Sequence, residues 1–242
     1  MNYAEDNNPY RNWGMVAAQA TESERAGFIR KTYLHLLGAV LAFCGIEAVL
    51  LNTPLAEAMT RQMLGHGQTG WLLVIGAFMV VSFVANKWAM SSTSMGTQYM
   101  GLALYVVGQA VITLPLLYVA RLEFGNGIIL NAALLTGVIF LGLTGAVFIT
   151  GADFSFLRSI LMVLGVAAMG VIICSALFGF NLGIVFVAAM IVFCAGYILY
   201  DTSNVLHHYQ IGQHVAASLA LFASVALLFW YVLQLLMSLN RR

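Results

Sequence analysis

An all-α integral membrane fold is predicted by three observations. Hydrophobic residues make up 62% of the 242 and charged residues only 8%, where a soluble domain carries about 25% charged. Too few polar atoms remain to cover a water-facing surface, and the mean hydropathy of +0.92 agrees. The apolar residues also fall in blocks of about 20, the length at which a helix crosses roughly 30 Å of hydrocarbon. The residue-by-residue alternation of a membrane β-barrel strand is missing. A soluble globular enzyme is thereby excluded.

The first 20 residues are polar and lack a strong period, so they read as loosely ordered, within an N-terminal tail bounded at residues 1–24. Thr21 followed by Glu24 fits a capping box, in which each side chain satisfies the other's free backbone N–H. A helix starts there and runs through Arg30 and Lys31 into a first span at 32–51. Six more follow at 71–89, 99–120, 128–149, 157–178, 182–201 and 215–238, so residues 25–242 form one seven-span domain. Pro115 kinks the third span by freeing the carbonyl of Val111. Gly179, Phe180 and Asn181 suit a tight hairpin between the fifth and sixth. Asp153 or Ser155 caps the start of the fifth. The pairs Gly38/Ala42 and Gly142/Ala146 let helices approach closely, or are ordinary scatter among 23 glycines.

Ten Lys and Arg against nine acids give a net charge of +1. With no basic stripe, nucleic-acid binding has no electrostatic footing. Cys44, Cys174 and Cys194 lie inside apolar blocks and read as small buried hydrophobes. No metal-ligand spacing appears, and no cofactor is expected. No Gly-x-Ser-x-Gly, His-Glu-x-x-His or phosphate-cradling loop supports catalysis. No secretory signal precedes the first span: residues 1–31 hold four acids and no short apolar core. Arg11, Arg25, Arg30, Lys31, Lys87 and Arg158 fall on one side of the bilayer. Arg61, Arg121, Arg241 and Arg242 fall on the other, which puts the N-terminus inside and the C-terminus outside.

Ionisable groups inside a bilayer are costly and invite a functional reading. His35 and Glu47 lie in the first span and Asp201 at the end of the sixth. Glu47 belongs near the outer boundary and Asp201 near the inner one, so depth alone excludes a shared-proton pair between them. If its helix continues, Asp201 shares a face with Asn204, Val205 and His208. It then needs a proton or a cation, and Arg30, Lys31, Lys87 and Arg158 stand at the same level. Burial and a nearby cation bias its ionisation in opposite senses, making Asp201 the candidate pH-sensing group. His207, His208 and His214 follow in a connection that titrates near physiological pH or simply solvates the loop. His35 and Gln109 are expected to hydrogen-bond between helices.

Three stretches then carry a family likeness. They are Gly196-Tyr197-Ile198-Leu199-Tyr200-Asp201-Thr202-Ser203, the Asp-Phe-Ser-Phe-Leu run at 153–157, and Phe28-Ile29-Arg30-Lys31-Thr32-Tyr33. In order, with seven spans, they resemble the Bax inhibitor-1 family over residues 25–240. That resemblance implies a seventh helix wrapped by the other six. It also implies a pH-sensitive calcium leak, closed by an aspartate pair between the sixth and seventh helices and an arginine from the second. Asp201 matches the first aspartate. Ser224 stands where the family commonly has the second, and Lys87 where it has arginine. Calcium would be bound only weakly and transiently, since so few carboxylates are present. The serine is similar to the bacterial branch typified by the modulator of the FtsH membrane protease. This implies an inner-membrane protein that acts on such a protease through its N-terminal tail. Leak and protease regulation are the two readings, with membrane lipid as the surrounding partner in both.

Overall fold

A computed structural model describes residues 15–65, 67–91 and 94–241. Residues 1–14 of the expected loose tail, with Arg11, lie outside them, as does Arg242. Eight α-helices follow among the described residues: α1 (Glu22–Leu50), α2 (Pro54–Gly65), α3 (Gly67–Ala89), α4 (Met95–Phe124), α5 (Asn126–Thr150), α6 (Leu157–Phe178), α7 (Gly183–His207) and α8 (His214–Asn240). All but α2 are long and apolar enough to cross a membrane, giving the seven expected spans.

The α1 helix begins as its sequence requires. Thr21 Oγ1 accepts from the Glu24 N–H at 3.4 Å, and the Glu24 carboxylate accepts from the Thr21 N–H at 3.2 Å. Phe28, Thr32, Leu36, Ala39, Phe43 and Glu47 are its buried residues. Steps of three and four place them on one stripe. Leu34, Leu37 and Leu41 stay exposed, which costs nothing against lipid tails as apolar as leucine.

Around α8 the bundle closes: α1, α3, α4, α5 and α7 all pack on it. The α6 helix stands outside, against α7 and α3, so six helices do not ring α8 evenly. The α6 helix suits that place, since its mean hydropathy of 2.6 is the highest of the seven, and Leu161 is its one buried residue among those described. In the last third of α1, Phe43 meets Phe222 of α8 edge-on at 6.0 Å, and Phe222 meets Tyr105 of α4 edge-on at 6.1 Å. Further along α8, Leu228, Val232 and Leu233 pack among Leu117, Ile128 and Met190.

Several expectations change. Residues 54–65 form a helix because Pro54 fits a first turn and Glu57 pairs with Arg61 one turn on, at 2.5 Å. The sixth span runs to His207 rather than ending at Asp201. Phe156 is the residue at the N-cap of α6 and makes no side-chain cap. Asp153 and Ser155 do not cap it, because the loop takes up the Asp153 carboxylate. Cys194 is buried, but Cys44 and Cys174 are exposed. Gly38, Ala42, Gly142 and Ala146 all face outward, and a Cβ on Gly38 or Gly142 would meet nothing within 4 Å. The close approach belongs to Gly101, where a Cβ would lie 2.5 Å from the Ala85 carbonyl oxygen of α3.

The end of the expected loose tail, at residues 15–17, is instead tied down. Val16 pairs antiparallel with Gln210 in the α7–α8 connection. The Ala17 N–H donates to the Tyr209 carbonyl at 2.8 Å and the Ile211 N–H to the Met15 carbonyl at 2.9 Å. Ala17 is fully buried beneath this clamp.

Candidate functional site

The last turns of α7 carry Asp201, Thr202 and Ser203, all buried, in a helix otherwise built for hydrocarbon. A buried polar group needs a partner, and each of these residues is turned toward a different neighbour. The Ser224 hydroxyl of α8 donates to Asp201 Oδ2 at 2.5 Å. Thr202 Oγ1 lies 3.5 Å from Thr144 Oγ1 of α5. The Tyr33 hydroxyl of α1 faces both threonines, though buried and outside hydrogen-bond geometry. A polar seam thus joins α1, α5, α7 and α8 at one level.

Just outside it, Ser203 reaches the α5–α6 loop. Its Oγ accepts from the Phe154 N–H at 2.8 Å and donates to Asp153 Oδ1 at 3.3 Å. Asp153 Oδ1 also accepts from the Ser155 N–H at 2.8 Å. Both Asp153 oxygens lie 3.2 Å from His208 Nε2. The Ser155 N–H, followed by His208, holds the Asp153 carboxyl down to about 2. These contacts pin the loop to the end of α7.

A third group joins α1, α4 and α8. His35 Nδ1 lies 2.6 Å from the Lys31 carbonyl and Nε2 2.9 Å from the Tyr99 hydroxyl. A carbonyl only accepts, so Nδ1 donates to the Lys31 carbonyl, and Nε2 and the Tyr99 hydroxyl share the second hydrogen bond. The buried His214 ring stands 4.9 Å from His35, centroid to centroid.

Of the residues singled out from sequence, Asp201 and Ser224 meet, as do Asp153 and His208. Lys87 and Arg30 do not reach Asp201: among the described residues no lysine or arginine lies within 4.0 Å of its carboxylate. Helix phase explains both. Ala85 and Ala89 are buried, as are Phe28 and Thr32. Lys87 and Arg30 sit two residues from each of these, about 200° around the helix, and are exposed. His207 Nδ1 instead bonds the Ser203 carbonyl at 3.0 Å. Glu47 is buried, and neither carboxylate oxygen has a hydrogen-bond partner among the described residues. It lies fourteen residues beyond Tyr33 on α1, about 21 Å along the axis, far from Asp201. Gln109 bonds Thr113 within α4 at 3.1 Å rather than another helix. No group of three His, Cys, Asp or Glu among the described residues could hold a metal ion. Sequence reasoning missed Tyr33, Thr144, Thr202 and Ser203. The signal for Thr202 and Ser203 was the polar run at 201–204 at the end of an apolar block.

Fold and site together define a class: a multi-pass helical membrane protein with a buried acid–hydroxyl contact between its last two spans. The chain belongs to the Bax inhibitor-1 family, whose model, described as "Inhibitor of apoptosis-promoting Bax1", matches residues 25–241. It is 27% identical over 224 residues to an uncharacterized protein of Pseudomonas aeruginosa, covering 90% of this chain and 92% of the relative. Against Protein LIFEGUARD 3 of Arabidopsis thaliana it is 30% identical, covering 90% and 86%. Against Bax inhibitor 1 of Schizosaccharomyces pombe it is 29% identical, covering 90% and 79%.

Proposed function

We propose that the protein is a passive, pH-sensitive leak for calcium or a similar cation, gated at the Asp201–Ser224 contact. The observation that carries this reading is the 2.5 Å hydrogen bond joining α7 to α8. Its acceptor is a buried carboxylate that, among the described residues, has no cationic partner. A proton gained or lost there changes the charge of the helix–helix contact itself. Buried charge with few donors is costly, so that change acts on how closely α7 and α8 meet. Calcium would pass as a loosely held ion, since a tight site wants six to eight oxygens and a leak wants weak binding and quick release.

In this reading the N-terminus is cytoplasmic, the C-terminus is outside a bacterial inner membrane, and the gate lies toward the cytoplasm. Lys87 and Arg30 shape the local field rather than pairing with the acid, and Asp153 with His208 steadies the end of α7. The test is calcium uptake by proteoliposomes from about pH 6 to 8, comparing wild type with Asp201→Asn. Uptake above empty liposomes with an altered pH profile in the variant is expected. A variant that follows the wild-type curve overturns the gate.

A second reading is favoured by the clamp of residues 15–17 on the α7–α8 connection. The protein would then be an inhibitor or slow substrate of an FtsH-type membrane protease, engaged through its tail. Deleting residues 1–14 separates the two, because a leak survives the deletion and protease engagement does not.

A further inference from the structure

Between α1 and α4 the lipid-facing surface opens into a groove of about 440 Å³. Its floor is made by Gly38 and Ala39 of α1 with Leu102 and Ala103 of α4, and its head by the bonded His35–Tyr99 pair. Lys31 sits one turn beyond His35 and shares a helix face with His35 and Gly38. We propose that this groove binds one anionic phospholipid, its phosphate at Lys31 with Arg30 alongside and an acyl chain along Gly38, Ala39 and Ala103.

Space, charge and polarity agree on that occupant. A Cβ on Gly38 would meet nothing within 4 Å, and Gly38, Ala42 and Ala103 are exposed. Of these, Gly38 and Ala42 suited a close helix approach from sequence, yet both stand exposed in the described chain. Lys31 and Arg30 are exposed, and no carboxylate among the described residues lies within 4.0 Å of either. Cations at this level attract anionic headgroups. Tyr99 and His35 present polar tips at the same depth, as interfacial aromatic residues do. A second copy is the competing occupant. Two-fold pairing through this face would set Lys31 and Arg30 against their own counterparts at equal depth, where like charges repel.

The experiment is native mass spectrometry of the full chain from nanodiscs holding equal phosphatidylglycerol and phosphatidylcholine with matched acyl chains. One retained phosphatidylglycerol per protein is expected, with no retained phosphatidylcholine. Lys31→Ala is expected to weaken retention about fivefold, the factor one cation contributes at an anionic surface. Gly38→Phe fills the groove from an open lipid-facing position, so the protein folds and the lipid is lost. Equal retention of both lipids overturns the proposal, as does retention unchanged in both variants. A dimer that disappears in Gly38→Phe also overturns it, by assigning the groove to a second copy.

Discussion

Replacing Gly101 with alanine tests how tightly α3 and α4 meet. The added Cβ would lie 2.5 Å from the Ala85 carbonyl oxygen and 2.6 Å from the Ala89 nitrogen. Ordinary contact begins at 3.4 Å, so the two helices must part by about 0.9 Å, the shortfall at the nearer atom. Both obstructing atoms are backbone and have no rotamer to change. Overfilling a well-packed contact costs about 1–3 kcal/mol. Helix propensity works the other way, favouring alanine by up to about 1 kcal/mol. The expected net loss is therefore up to about 2 kcal/mol, and about 1–3 kcal/mol relative to a glycine-to-alanine change that takes the propensity gain alone. Gly38→Ala is the control: the chemical change is the same, with no atom within 4 Å of the new methyl. Reversible unfolding in mixed micelles by sodium dodecyl sulfate, followed by circular dichroism, reads both. If Gly101→Ala proves as stable as Gly38→Ala, the close crossing of α3 and α4 is wrong.

Other perturbations follow from the same geometry. Ser224→Ala removes the α8 donor to Asp201 and should cost about 0.6–1.7 kcal/mol, the range for hydrogen bonds between membrane helices; no loss in that unfolding titration would dissolve the contact. Ser224→Asp puts two carboxyls in reach of one proton, so the calcium-uptake profile should acquire a second titration step; an unchanged profile would detach the gate from this pair. The Asp153 carboxyl is held down from 3.8 to about 2, so its charge stabilises the fold above about pH 4, and that contribution is lost as pH falls toward 2. Its side chain is 46% exposed, which screens the effect to below about 1 kcal/mol. Melting of wild type and Asp153→Asn should therefore differ slightly at neutral pH and converge between pH 4 and 2; a gap that widens on acidification reverses the sign. Val16 and Gln210 face each other where flanking residues carry the hydrogen bonds, the arrangement that brings Cβ atoms closest. Cysteines placed there, with Cys44 and Cys174 replaced by serine, should oxidise to a disulfide visible as a gel shift, and failure to cross-link would remove the clamp.

Span number and order were legible because hydrophobic length is a strong, local signal. The α2 helix was not, since twelve residues interrupted by Glu57 and Arg61 resemble a loop until the rim of α3 and α4 supports them. Asp201 was singled out on depth and residue type. Its partner Ser224 came from family likeness, because serine in an apolar helix carries no signal of its own. Lys87 shows the limit of reasoning by level: the right depth does not fix the direction, and helix phase turns it away. The His35–His214 contact joins residues 179 positions apart in sequence, which no local pattern reveals. The small-residue pairs were visible but ambiguous, because sequence does not say whether a helix or lipid lies opposite.

The central position of α8 has a consequence for biogenesis. Each preceding span is apolar enough to insert as it leaves the ribosome, yet the helix that five of them pack against is synthesised after all of them. Until it arrives, Phe43 and Tyr105 lack Phe222, and Asp201 sits in the membrane without Ser224. Insertion and assembly are therefore separated in time, as two distinct stages. A chain released at the α7–α8 connection would not be a smaller bundle. It would be a set of inserted helices exposing an unsatisfied acid, the kind of species that cellular quality control removes.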